Sequence, residues 1–72
     1  MKKDFALTRI GQNIRKIREN KNISQQDLAA VCNFEKSNMS RIEAGRTNPT
    51  IGTLLKICDA LNVKLEDIVM IE

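Results

Sequence analysis

The sequence contains no histidine, tyrosine or tryptophan, and a single proline among 72 residues. Lacking histidine, it has neither the commonest metal ligand nor the side chain that most readily exchanges a proton near neutral pH. Its two cysteines alone cannot complete the four-ligand shell of a structural zinc. Phe5 and Phe34 are its only aromatic residues, too few for a platform that stacks several bases on rings. No nucleophile–base pair is evident, so no catalytic residue, metal site, cofactor or small-molecule ligand is expected, and the chain is not expected to be an enzyme. Nor does any stretch approach the roughly 18 apolar residues that span a bilayer. Met1-Lys2-Lys3-Asp4-Phe5 has positive charge but no apolar segment of a signal peptide. With few cysteines and no membrane partner in view, a reducing, cytoplasmic setting is the expectation. What is present suits a folded chain. The apolar content of 42% is ordinary for a globular protein, and the length allows one domain over 1–72.

Charge is unevenly placed. Residues 1–46 hold ten basic and five acidic side chains, a net +5, whereas residues 47–72 hold two basic and four acidic, a net −2. A basic N-terminal portion beside an acidic tail suits a surface that faces a polyanion, although an ordinary solvated face has the same look.

Apolar spacing predicts helices throughout. Leu7, Ile10, Ile14 and Ile17 recur at three and four, one stripe of a helix from about Phe5 to Asn20. Ser24 followed by Asp27 is a capping-box-like start for a second helix, about 25–32, with Leu28, Ala29 and Cys32 inward. Asn33 can take the left-handed conformation that ends it. A third helix, about 35–44, turns only Met39 and Ile42 strongly inward, and Gly45 stops it. Thr50 caps a fourth, about 51–61, with Ile51, Leu54, Leu55, Cys58 and Leu61 as its expected core stripe and Asn62 as terminator. Val63, Leu65 and Ile68 suggest a short fifth. No strand or hairpin signal appears, so the fold class is all-α, a compact bundle of about five helices. Cys32 and Cys58 fall on apolar stripes and read as small buried hydrophobes. The apolar end Ile68-Val69-Met70-Ile71 either packs on its own core or forms a seam with a second copy.

The pair at 25–44 is two short helices on a tight turn. Ala29 permits a close crossing, and the start of the second helix is left projecting, as in a helix-turn-helix. Here the sequence resembles a known family. Ser24-Gln25-Gln26-Asp27-Leu28-Ala29, Met39-Ser40-Arg41-Ile42-Glu43-Ala44-Gly45-Arg46 and Asn48-Pro49-Thr50 are similar in order and spacing to the phage-repressor (Cro/C1-type, XRE) helix-turn-helix family. The likeness runs from about Ile10 to Ile68. It implies a five-helix, lambda-repressor-like DNA-binding domain whose third helix enters the major groove. Two positions depart from the family pattern: Asn33 where glycine is usual, and Glu35 where serine or threonine is usual. Glu35 would be repelled by phosphate, so it either accepts a hydrogen bond from cytosine N4 or restrains a basic neighbour.

The resemblance assigns roles. Lys36, Ser37, Asn38 and Arg41 are implied base readers, since lysine and arginine donate to guanine O6 and N7 and serine serves either base class. Gln25, Ser40, Arg46, Thr47, Asn48 and Thr50 are implied phosphate contacts. Pro49 and Thr50 also suit a purely structural part, and Arg15 either touches the backbone or is simply solvated. Arg18 and Glu43 are implied to form a buried ion pair that positions the third helix. The implied function is a transcriptional regulator that binds an inverted repeat in double-stranded DNA as a homodimer. The competing reading is an antitoxin-like or other protein-interaction module in which DNA binding is secondary.

Overall fold

The computed structural model describes residues 2–71, and in it the chain forms five helices: α1 (Lys3–Asn20), α2 (Gln25–Val31), α3 (Lys36–Glu43), α4 (Ile51–Leu61) and α5 (Leu65–Val69). There is no strand among the described residues. Helix α1 begins at Lys3, two residues before the apolar stripe announces it, with Asp4 in its first turn where an acidic group suits the helix dipole. Helices α2 and α3 are slightly shorter than their expected spans. Cys32 is the C-cap of α2, while Glu35 and Ala44 flank α3 as N-cap and C-cap.

Caps explain most of these boundaries. The Ser24 hydroxyl accepts from the Asp27 N–H at 3.0 Å. Only this half of the expected capping box is present among the described hydrogen bonds. Thr50 accepts from the Thr53 N–H at 3.1 Å, and the Lys64 N–H donates to the Asp67 carboxylate at 2.9 Å.

The first four helices all end in one way. After α2, Phe34 N–H donates to Ala29 O at 2.8 Å and Asn33 N–H to Ala30 O at 3.1 Å, with Asn33 at φ 60°. Asn22 (φ 59°) does the same after α1, Gly45 (φ 74°) after α3 and Asn62 (φ 57°) after α4. Each is the paired carbonyl closure of a left-handed cap. Asparagine tolerates that conformation because its short polar side chain lowers the cost other L-residues meet there.

Every helix contributes to one core. Ile14, Leu28, Met39, Ile57, Leu61 and Ile68, drawn from all five, are almost fully buried. Helix α4 corrects the expected stripe: Leu54, Cys58 and Leu61 are buried as expected, but Ile51 and Leu55 are exposed and Ile57 takes the inward position. The crossing of α1 over α3 is closer still. A Cβ on Gly11 would meet the carbonyl oxygens of Glu43 and Ile42, the latter at 2.6 Å. Glycine is therefore required there by packing. At the C-terminal end Ile68 faces the core and Met70 faces solvent. The Asn13 side-chain amide donates to Ile68 O at 3.0 Å and to Met70 O at 2.9 Å, fastening this segment to α1.

Candidate nucleic-acid interface

Helix α3 divides sharply between its two sides. Met39, Ile42 and Glu43 are buried, whereas Lys36, Ser37, Ser40 and Arg41 are exposed and Asn38 is half-buried. Eight residues make little more than two turns, and three buried positions are enough to seat them against α1 and α2. The outward polar groups are unengaged: among the described residues, Lys36, Ser37, Asn38, Ser40 and Arg41 have no side-chain hydrogen bond or ion pair. A surface that only needed solubility could equally have been laced with pairs. This one presents free donors in a row.

Behind α3 lies a buried polar cluster. The Arg18 guanidinium donates through Nε to Glu43 Oε2 at 2.8 Å and through Nη2 to Glu43 Oε1 at 3.1 Å. Its Nη1 donates to the Ile23 carbonyl at 2.8 Å. The Gln25 amide adds a third donor to Glu43, reaching Oε1 at 3.0 Å. The hydrogen bond with Glu43 holds the Arg18 pKa above its ordinary value, against the opposing effect of burial. A planar fork meeting both carboxylate oxygens fixes orientation as well as distance. The last residue of α3, the first of α2 and the last turn of α1 are thereby locked together.

The other residues named from the sequence are placed as follows. Arg46 and Asn48 are exposed in the α3–α4 loop, and Thr47 is half-buried. Thr50 is the N-cap of α4, with its hydroxyl donating to Thr53 Oγ1 at 3.1 Å while accepting the Thr53 N–H. Gln25 retains one side-chain N–H beyond the one given to Glu43. Arg15 is paired with Glu19 one turn on, at 3.2 Å, and both are exposed. Cys32 and Cys58 are buried free thiols, and burial pushes both above the ordinary thiol value.

Four features escaped the sequence reading. The Gln25–Glu43 bond joins positions 18 apart that no helical period links. The Asn13 clasp likewise spans distant segments. Gly11 did leave a signal, since a lone glycine inside an apolar helical period marks a close approach. Lys56 also stands over the Phe34 ring at 5.8 Å, near the range of a cation–π contact. Among the described residues no group of three or more cysteine, aspartate or glutamate side chains could hold a metal. Among the same residues no helix is long and apolar enough to cross a membrane.

Known proteins place this geometry. The family described as "Helix-turn-helix" matches residues 14–68. An uncharacterized HTH-type transcriptional regulator of Sinorhizobium fredii, y4dJ, is 33% identical over 60 residues, covering 83% of this chain and 78% of that protein. The control protein C.BamHI of Bacillus amyloliquefaciens is 39% identical over 59 residues, 81% of this chain and 73% of that one. The crystal structure of the restriction-modification controller protein C.AhdI from Aeromonas hydrophila superimposes with a TM-score of 0.83 at 29% identity. The match covers 86% of this chain and 94% of that one. With its five helices, its central α2–α3 pair and these relatives, the chain belongs to the phage-repressor-like (Cro/C1-type) helix-turn-helix family.

Proposed function

We propose that this chain is a sequence-specific, DNA-binding transcriptional regulator that inserts α3 into the major groove. The observation that supports it best is the unengaged outer side of α3, set on a helix whose inner side is clamped by Glu43. Lys36 and Arg41 donate to guanine, and Ser37 and Asn38 complete the base-reading set. Ser40, Arg46, Thr47 and Asn48 donate to phosphates, and Gln25 does so with the N–H that Glu43 leaves free. Thr50 joins them only by giving up its bond to Thr53. Arg18 and Glu43 position the reading helix and touch no DNA.

One eight-residue helix spans too few base pairs for a unique site. Two copies related by a two-fold axis place two such helices about 34–36 Å apart on successive major grooves. Ile51 and Leu55, one turn apart on α4, and Met70 offer exposed apolar surface for that pairing. The reading has no catalytic step and no cofactor, takes residues 1–72 as one domain, and puts the protein in the cytoplasm with its DNA.

The test is selection of bound duplexes from a randomised pool near physiological salt. The expected result is an inverted repeat with half-sites about one helical turn apart. Affinity for the selected site should fall with salt along a log–log slope of about −0.9 per neutralised phosphate. No enriched sequence, with binding that is weak and unspecific, would overturn the reading and favour an interaction module working through the exposed apolar residues.

A further inference from the structure

Glu35 is the N-cap of the reading helix, at the end that meets whatever lies in front of it. Its carbonyl accepts from Asn38 N–H at 3.0 Å and Met39 N–H at 3.1 Å, the ordinary work of an N-cap. Its side chain makes no cap hydrogen bond. It is exposed, and among the described residues it has neither an ion pair nor a hydrogen bond, although Lys36 follows it directly. Of the two roles open to it from the sequence, restraint of a basic neighbour is therefore absent from the free protein. The carboxylate makes no bond within the fold, and its only contribution there is the favourable field of the helix N-terminus.

Against DNA, an unpaired carboxylate is repelled by phosphate, so only a hydrogen-bond donor on a base edge favours it. The major groove offers two amino donors, cytosine N4 and adenine N6. Beside adenine N6 lies N7, an acceptor whose lone pair would face the second carboxylate oxygen. Cytosine N4 has a C5–H beside it on its own ring, with no such conflict. We propose that Glu35 is a specificity-determining residue that accepts a hydrogen bond from cytosine N4 in each half-site. The proposal rests on the DNA-binding reading above.

The experiment repeats the duplex selection with the full chain and with Glu35→Ala and Glu35→Gln. Neither variant removes a contact the fold uses, and thermal melts check that both remain folded. The parent should prefer cytosine at one symmetry-related position per half-site by about tenfold over other bases, within the range a good base contact supplies. Glu35→Ala should keep the rest of the motif and reduce that preference to within about twofold. Glu35→Gln should move it to adenine, because an amide accepts from N6 while donating to N7. The same motif from all three proteins would overturn the role of Glu35 and leave the DNA-binding reading intact. So would a Glu35→Ala variant that binds every duplex more tightly with unchanged preferences, which would make Glu35 a general repeller of phosphate. No motif even from the parent would overturn both.

Discussion

Arg18 and Glu43 form a cluster in which every buried donor and acceptor has a partner, and no buried side-chain N or O atom among the described residues is left without one. The stability of such a pair is asymmetric. Removing one member leaves the other charged and dry, which costs about 3–5 kcal/mol, whereas replacing both by apolar residues of similar size is often close to neutral. A chain of this length has roughly 0.05–0.15 kcal/mol of stability per residue, so the single loss is a large share of the whole. Arg18→Ala should therefore melt far below the parent, while Arg18→Met with Glu43→Met should recover much of the difference. Recovery should be partial, because the Ile23 carbonyl and the Gln25 amide each lose a partner. Circular dichroism melts of the three proteins decide it, and an Arg18→Ala melt like the parent's would show that the pair contributes nothing.

Between elements, the α1–α3 crossing at Gly11 sets the angle from which α3 leaves the body. A helical glycine replaced by alanine ordinarily gains about 0.5–1 kcal/mol. Here the added methyl meets two backbone carbonyls, which cannot swing aside as a flexible side chain would. Gly11→Ala should instead destabilise by about 1–3 kcal/mol, the usual cost of overpacking, read as a lower urea midpoint at unchanged m-value. Helix order and ends were legible in the sequence because Ser24, Asn33, Gly45, Thr50 and Asn62 act locally, each cap depending on neighbours a few residues away. The face of α4 was not. Ile51, Leu54, Leu55, Ile57, Cys58 and Leu61 are apolar on nearly every side, so two overlapping stripes fit the period, and only tertiary packing chose the one containing Ile57. Which polar residues of α3 face outward followed from its period, because Met39 and Ile42 are its only strong apolar residues. The second partner of Glu43 did not, since the meeting of Gln25 with it is a product of the crossing itself.

Over the whole molecule the two thiols, one on α2's end and one on α4, lie in the same core. Burial raises both in the folded state; nearby Lys56 partly offsets this at Cys32, and Asp59 and Asp67 add to it at Cys58. A raised folded value means the stabilising protonated form is fully present below the unfolded thiol's 9.0 and is lost as pH climbs past it. Urea unfolding followed from pH 7 upward should show a decline beginning near 9, and Cys32→Ala with Cys58→Ala should flatten it. An identical decline in the double variant would assign it to other groups. The division of α3 into an anchored inner side and an unengaged outer side has a consequence for retargeting. Met39, Ile42 and Glu43 hold the helix in place, while the side chains at 35, 36, 37, 40 and 41 have no hydrogen bond or ion pair among the described residues. On the DNA-binding reading proposed above, that outer set is an exchangeable cassette: a library randomised there alone should alter which operator is recognised without disturbing what makes the domain fold. New specificities should thus be reachable in single steps, each free of the compensating repairs that substitutions inside a packed interface demand.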